Sequence, residues 1–327
     1  MKQIIKISRP LAVILCVLIL ALTCSCGTQN ADKKRIAVIV KATDSDFWHS
    51  VRRGVDSAAT EYNAEVTFEG CENEDDYFTQ NQLIKDAVRN KADTIVLSAI
   101  DSEKSAEAVD EAVRAGVEVI AIDSGTASSH IKMFIGTDNI EAGRAAGKAA
   151  VSGFDLNDEI NIGLVNYYKS TDNGHLREEG FREYIDTIDN AKIVSSVNVE
   201  SNIESAEAAA ISLINENPSI NVLVGFNEWM TLGVGEAIKT LDASQRIRGI
   251  GFDANITSVE MLETGEMDTL IVQNSFAIGY LGVKYAAAVA SGENIKQDNI
   301  YTAVTAVTKD NLFDKDIQKL LFRFNQD

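Results

Sequence analysis

The sequence predicts an α/β fold with two doubly wound parallel-sheet domains, and two observations support this prediction. Short runs rich in valine and isoleucine alternate with amphipathic stretches of helical period along the chain. Continuous apolar strands between helices are typical of parallel sheets that are covered on both faces. About ten such runs occur in 327 residues, which exceeds one ordinary sheet and leaves room for two domains.

The predicted elements follow one another in a regular order. Strands are expected at 35–40, 65–68, 94–97, 117–122, 131–135, 160–165, 193–199, 222–226, 247–252 and 269–272. The clearest helical periods lie at 76–89, 102–115, 204–215 and 231–241. Each half begins with a strand, a polar loop and a helix that contains a glycine, Gly54 in one and Gly180 in the other. The two halves are therefore expected to share one architecture.

The N-terminus is predicted to be an export signal. Lys2, Lys6 and Arg9 precede an unbroken apolar run at 11–22. That run is too short for a permanent membrane span but has the length of a signal-peptide core. Removal of residues 1–25 takes away those three cations and no acids, so the net charge falls from −19 to −22.

The residues at the predicted cleavage point, 25–27, resemble a bacterial lipoprotein box. Cys26 is the expected lipidation site, Cys24 is the alternative, and a plain secretory signal cleaved nearby is the other interpretation. Residues 26–34 are polar and are expected to form a tether. Only Cys71 then remains in the folded part, so an intramolecular disulfide is excluded there.

Charge and motifs exclude several functions. Acidic residues number 49 against 30 basic ones, so a basic nucleic-acid-binding face is not expected. The chain has neither HExxH nor a phosphate loop nor a nucleophile elbow. Residues 249–254 fit GxGxxA by letters, but these glycines are predicted to lie inside a strand rather than at a turn. We therefore expect no enzymatic activity, no cofactor and no metal site.

Polar and aromatic residues directly follow several predicted strands. They are Lys41, Ser45, Phe47, Trp48, Asp123, Ser124, His175, Asn227, Asp253 and Gln273. The carboxyl ends of parallel strands share one edge of a sheet, so these side chains are expected to surround one cleft. Carboxylates and amides bond neighbouring hydroxyls, and aromatic rings cover apolar C–H faces, as in carbohydrate sites. Each residue taken alone also has a simpler interpretation: Asp253, for example, is placed to cap a helix.

The same segments carry a resemblance to the ribose-type periplasmic sugar-binding proteins of ABC transporters. The matching segments are 36–40, 46–48, 120–123, 135–143, 177–181, 227–233, 251–253 and 269–273, and the resemblance covers nearly all of 35–310. It implies the type I periplasmic-binding-protein fold, with hinge crossings near 137–138, 273–274 and 301–302. The implied domains are an N-terminal one, 35–137 with 274–302, and a C-terminal one, 138–273 with 303–327.

The resemblance also implies roles for individual residues. Phe47 and Trp48 would stack on a sugar, while Asp123, Asn227, Asp253 and Gln273 would bond its hydroxyls. Lys41, Ser45, Ser124 and His175 stand where the ribose pattern has a serine, an asparagine and two arginines. The second aromatic wall falls near Ser201, so it is either missing or supplied by Tyr167, Tyr168 or Trp229. The sequence therefore predicts the class of ligand without identifying it as ribose.

The resemblance implies an extracytoplasmic, lipid-anchored, monomeric receptor that captures a monosaccharide or related polyol for an ABC permease. The alternative is a receptor that presents its ligand to a membrane sensor kinase or chemoreceptor, and the residues do not separate the two. A related transcription regulator is disfavoured because the chain has an export signal and lacks an N-terminal helix-turn-helix.

Overall fold

Strands and helices alternate in the computed structural model, which describes residues 33–168, 170–296 and 299–322. The strands are β1 (Arg35–Ala42), β2 (Glu65–Cys71), β3 (Thr94–Leu97), β4 (Glu118–Ile122), β5 (Met133–Thr137), β6 (Ile160–Tyr167), β7 (Ala191–Val199), β8 (Val222–Gly225), β9 (Arg248–Phe252), β10 (Thr269–Gln273), β11 (Asn299–Thr302) and β12 (Val304–Val307). The helices are α1 (Asp46–Glu61), α2 (Tyr77–Arg89), α3 (Ser102–Arg114), α4 (Asn139–Val151), α5 (Asp172–Ile185), α6 (Ile203–Glu216), α7 (Glu228–Thr240), α8 (Ile256–Thr264), α9 (Ser275–Ala290) and α10 (Lys315–Leu321). None of these helices is long and apolar enough to cross a membrane.

The strands form two six-stranded sheets of equivalent order, which confirms the predicted fold class. The first sheet runs β11-β5-β4-β3-β1-β2 and the second runs β12-β10-β9-β8-β6-β7. We call the first sheet with α1, α2, α3 and α9 the first lobe, and the second sheet with α4 to α8 and α10 the second lobe. The ten predicted strands are all present, and β11 and β12 add an edge strand to each sheet.

The edge strand β12 runs antiparallel to its neighbour in a sheet whose other pairs are parallel. Strand β11 pairs parallel with β5, whereas β12 pairs antiparallel with β10. Only Ala303 separates β11 from β12, so the chain passes from one sheet into the other without a reversing turn. Strand β11 runs parallel to β5, toward the carboxyl edge of the first sheet. Strand β12 runs antiparallel to β10, and therefore away from the carboxyl edge of the second sheet. The reversed pairing thus shows that both carboxyl edges border the space between the lobes.

Each parallel strand is buried on both faces, as β1 illustrates. Val38 and Val40 pack with α1 and α9, while Ala37 and Ile39 pack with α2 and α3. Successive side chains of a strand point to opposite faces, so a strand covered on both sides requires an uninterrupted apolar run.

The glycine common to both halves allows two helices to cross closely. A Cβ on Gly54 of α1 would overlap the carbonyl oxygen of Phe276 in α9. A Cβ on Gly180 of α5 would overlap the carbonyl oxygen of Ile140 in α4 in the same way. The internal resemblance seen in the sequence therefore marks equivalent helix crossings in the two lobes.

The chain passes between the lobes three times: between β5 and α4, between β10 and α9, and between β11 and β12. On this basis we propose the domain ranges expected from the sequence, 35–137 with 274–302 and 138–273 with 303–327. The predicted signal peptide, Cys26 and all but the last two residues of the predicted tether lie outside the described residues.

Candidate ligand-binding cleft

A cavity lies between the carboxyl edges of the two sheets and receives side chains from both lobes. The lining side chains nearly fill it and leave a free volume of about 30 Å³. Its lining residues are Lys41, Ser45, Phe47, Trp48, Glu74, Asp123, Tyr167, Asn173, Arg177, Asn227, Glu228, Trp229, Asp253 and Gln273. Eight of the ten residues singled out from the sequence are thus brought together, and Ser124 and His175 are not among them.

Two aspartates occupy equivalent positions on opposite sides of the cavity. Asp123 follows β4 and its N–H donates to the carbonyl of Ile135, 3.1 Å away, in β5. Asp253 follows β9 and its N–H donates to the carbonyl of Ile271, 3.0 Å away, in β10. Both have left-handed backbones, with φ of 57° and 64°. Aspartate tolerates this conformation better than most residues, because its short polar side chain bonds locally.

The Asp123 carboxylate lies in a network that joins the lobes. It accepts hydrogen bonds from the hydroxyl of Ser98 at 2.9 Å and from the Asn173 amide at 3.2 Å. The Nζ of Lys41 lies 3.4 Å from the same carboxylate and donates to Asn173 Oδ1 at 3.0 Å. Lys41 and Asp123 are both almost fully buried, so each charge depends on the other and on these neutral partners.

The Asp253 carboxylate has no cation in hydrogen-bond contact among the described residues. It accepts from Gln273 Nε2 at 2.7 Å, and Gln273 Oε1 accepts from the hydroxyl of Thr137 at 2.8 Å. Burial raises the pKa of Asp253 to about 6, and the nearby negative charge of Asp123 adds to the shift. The Arg177 guanidinium opposes it. This carboxylate is therefore held next to two hinge crossings in an environment that disfavours its charge.

Glu228 extends from the second lobe to the start of α1 in the first lobe. Its carboxylate accepts from the backbone N–H of Phe47 at 3.1 Å and of Asp46 at 3.3 Å. The Asn255 amide donates to it at 2.8 Å. A negative charge is favoured at a helix N-terminus, but burial dominates and raises the pKa of Glu228 to about 7, with Asp253 contributing.

Glu74, in the loop after β2, forms another bridge between the lobes. It accepts from Trp48 Nε1 at 3.3 Å within its own lobe and from the Ser201 hydroxyl at 3.0 Å in the second lobe. Ser201 in turn accepts from the Asn227 amide at 2.9 Å. The position where the sequence predicts a second aromatic wall therefore holds hydrogen-bonded polar side chains, those of Glu74, Ser201 and Asn227.

The aromatic residues differ in their placement. Phe47 and Trp48 meet edge to face with ring centroids 4.9 Å apart. Trp48 is 3% exposed and belongs to the core of the first lobe, whereas Phe47 is partly exposed at the cavity. Of the three candidates for the second wall, Tyr167 and Trp229 line the cavity and Tyr168 lies in an adjoining hollow.

The helix-cap interpretation applies to some residues and not to others. Ser45 caps α1 by accepting from Trp48 N, and Asn227 caps α7 by accepting from Met230 N. Asp253 is not a cap: α8 is capped by Asn255, whose side chain accepts from Ser258 N at 2.8 Å. Ser45 and Asn227 therefore have a structural role in addition to lining the cavity.

His175 and Ser124 lie away from the cavity. The His175 side chain is 69% exposed, and its Nε2 lies 3.9 Å from Glu179. Asn173 and Arg177 line the cavity instead, because residues four apart share a face of α5 and the residue midway between them points elsewhere. Ser124 is buried, and its hydroxyl has no hydrogen-bond partner in the described structure.

Four lining residues were not predicted as ligand contacts: Glu74, Asn173, Arg177 and Glu228. Arg177 donates to Asn139 Oδ1 and to the carbonyl of Phe226, each at 2.9 Å, and its Nη2 is buried without a partner among the described residues. Helical spacing from Arg177 is the signal that selects Asn173 over His175. Glu74 lies in a loop and gives no comparable periodic signal.

Comparisons with known proteins bear on the family and fold of the chain. A D-ribose/D-allose-binding protein from Pseudomonas aeruginosa is 25% identical over 86% of this chain and 90% of its own length. A carbohydrate transporter solute-binding protein from Agrobacterium radiobacter, solved with D-arabinose, is 29% identical with a TM-score of 0.86, covering 89% of this chain and 100% of that one. A solute-binding protein from Agrobacterium vitis with bound D-fucose is 30% identical with a TM-score of 0.84, covering 88% and 100%. Residues 36–294 match the periplasmic binding protein domain, so the chain belongs to that family and its resemblance to the ribose-type sugar-binding members is confirmed.

Proposed function

We propose that this protein is an extracytoplasmic solute-binding lipoprotein that captures a monosaccharide or related polyol and delivers it to an ABC importer. The observation that carries the proposal is the cavity between the lobes, which combines carboxylates, amides and cations with the partly exposed ring of Phe47. Hydroxyl groups both donate and accept, so neighbouring hydroxyls suit carboxylates and amides, while the ring covers a C–H face.

Binding follows from the distribution of these groups over both lobes. Asp123 and Phe47 belong to the first lobe, whereas Asn227, Asp253 and Gln273 belong to the second or its border. A ligand bonded by both sets favours the closed arrangement, because only closure brings both sets into reach. The chemistry of the site is recognition, with no bond made or broken.

The similar proteins solved with D-arabinose and D-fucose support a monosaccharide as the ligand. The departures from the ribose pattern at Lys41, Ser45, Ser124 and His175 mean that the particular sugar is to be identified by experiment. The direct test is a thermal-shift screen of aldoses, ketoses and polyols on protein lacking residues 1–26. We expect at least one of them to raise the melting temperature, and Asp253→Asn to reduce that shift. No shift with any of them would contradict the proposal.

Membrane attachment through Cys26 is part of the proposal and rests on the sequence. We expect wild-type protein to partition into detergent and Cys26→Ser to lose that partitioning. The matched control is Cys24→Ser, which is expected to behave as wild type. If Cys24→Ser alone loses partitioning, the lipidated residue is Cys24.

We propose that the receptor is monomeric. Its delivery of the ligand to an importer is tested in cells. Deletion of the gene is expected to abolish uptake of the radiolabelled ligand identified in the screen. Normal uptake together with loss of a ligand-induced transcriptional or chemotactic response would favour presentation to a membrane sensor instead.

A further inference from the structure

A second hollow, which is strongly acidic, adjoins the ligand cavity. Both are lined by Glu74 and Trp229, so the two spaces adjoin at these residues. Five more carboxylates line the outer hollow: Asp44, Glu72, Asp75, Glu200 and Glu204. We call these five residues the acidic vestibule. No lysine or arginine lies among the described residues that line it.

The inner cavity also has more carboxylates than cations. Its charged lining residues are Glu74, Asp123, Glu228, Asp253, Lys41 and Arg177. Lys41 is already engaged by Asp123 at 3.4 Å. Arg177 forms no ion pair with a carboxylate among the described residues, although its charge lowers the pKa of Asp253. Four carboxylates against two cations give the described lining a formal excess of two negative charges.

Burial, with a smaller effect of neighbouring charges, disfavours the negative charge of two of these carboxylates. Burial and neighbouring negative charges raise the pKa of Glu228 to about 7 and that of Asp253 to about 6. A ligand carboxylate or phosphate would add another negative charge to a space of low effective dielectric constant. An uncharged hydroxyl adds none, and an ammonium group would compensate part of the excess.

From this charge distribution we infer that the cleft selects uncharged or amino-substituted polyhydroxyl ligands and excludes anionic ones, such as uronic acids and sugar phosphates. The inference rests on the proposed function and specifies its ligand class. The vestibule slows the approach of anions by its field, and the excess carboxylates of the cavity oppose their binding.

Glu74 is the specificity-determining residue in this arrangement. It lies where the vestibule meets the cavity, and its two oxygens contact different lobes, through Trp48 and Ser201. Glu74→Gln removes the charge while retaining the size of the side chain, an acceptor for Trp48 and a polar group for Ser201. Glu65→Gln is the matched control, because Glu65 is exposed at the start of β2, at the opposite edge of the same sheet.

The experiment uses matched triples of an aldohexose, its uronic acid and its 2-amino-2-deoxy derivative, in the gluco, galacto and manno series. Thermal shift selects the triple with the largest response, and calorimetry then gives its affinities for wild type, Glu74→Gln and Glu65→Gln. We expect the uronic acid to bind roughly tenfold or more weakly than its parent aldose. Glu74→Gln is expected to reduce the difference in affinity between the aldose and its uronic acid by about threefold. Raising the salt concentration is also expected to reduce this difference, and Glu65→Gln is expected to leave it unchanged.

The outcomes separate the inference from the proposed function. A uronic acid that binds as tightly as its aldose, or a gap that Glu74→Gln does not change, overturns the inference while sugar capture stands. If no member of any triple binds and the wider screen of sugars and polyols is also silent, the proposed function fails and the inference fails with it. If only a pentose or polyol responds in the wider screen, the same comparison is made with its aldonic acid.

Discussion

The two sides of the cleft have the same backbone design and different electrostatics. Asp123 and Asp253 each follow the fourth strand of their lobe, have a positive φ and bond backbone to backbone with the next strand. Asp123 is paired with Lys41 and accepts from Ser98 and Asn173. Asp253 accepts from Gln273, and burial raises its pKa to about 6.

This difference shows that two lobes with the same fold can differ in the free energy of equivalent buried charges. The carboxylate of the first lobe contributes to stability because a buried lysine depends on it. The carboxylate of the second lobe costs stability when it is charged, so we expect its charge to serve binding. The following predictions test that division, from the largest expected effect to the smallest.

Replacing the two aspartates separately tests whether Asp123 serves stability and Asp253 serves binding. Asp123→Asn leaves the buried Lys41 without its counter-charge and is expected to lower the free energy of unfolding by about 3–5 kcal/mol. Asp253→Asn removes a disfavoured charge and retains the geometry, so no loss is expected. Asparagine tolerates the positive φ at both positions. Urea unfolding measures both, and equal losses would contradict the comparison.

The two adjacent aromatic residues of the first lobe provide a second comparison between a residue needed for stability and one needed for binding. Trp48→Ala empties a core position and is expected to destabilise the protein by about 3–5 kcal/mol. Phe47→Ala is expected to weaken ligand binding by about 1–3 kcal/mol with a smaller loss of stability, because its ring is partly exposed at the cavity. Melting temperatures and calorimetric affinities separate the two, and a Phe47→Ala protein with wild-type affinity would place the stacking surface elsewhere.

The contact between Glu228 and α1 predicts a pH dependence of binding. The pKa of Glu228 is raised from its ordinary value to about 7 where its carboxylate contacts both lobes, so its charge opposes this contact most strongly above pH 7. That opposition is relieved as the pH falls through 7 toward the ordinary value. Affinity for an uncharged ligand is therefore expected to rise by up to about tenfold between pH 8 and pH 6. Glu228→Gln is expected to show a smaller rise in affinity, which comes from Asp253. A fall in affinity of the wild type on acidification would contradict the prediction.

The smallest expected effect is at His175. Its exposed side chain lies outside the cavity, so His175→Ala is expected to leave affinity and melting temperature unchanged. Asn173→Ala, on the same helix, is expected to weaken binding by about 1–3 kcal/mol, because Lys41, Asp123 and the Tyr167 hydroxyl all lose a buried partner. A loss of binding in His175→Ala would show that α5 turns in the liganded protein.

Much of the fold and part of the cleft follow from local patterns. The apolar runs mark all ten core strands, and the residue after β4 or β9 lies at the cleft because parallel strands share their carboxyl edge. The edge strands β11 and β12 are short and partly exposed, so their apolar signal is weak. His175 was expected at the cleft from its place in a motif, whereas the helix presents Asn173 and Arg177.

Local sequence patterns predict the two α/β lobes, ten of their twelve described strands in chain order and eight of the residues that line the cleft, because strand periodicity and strand ends are local properties. Which charges are paired and where the lobes meet follow from the folded structure alone. Lys41 and Asn173 are 132 residues apart, and Phe47 and Glu228 are 181 residues apart. Such contacts depend on how the two lobes come together in space, and the burial that raises the pKa of Asp253 and Glu228 exists only once they do.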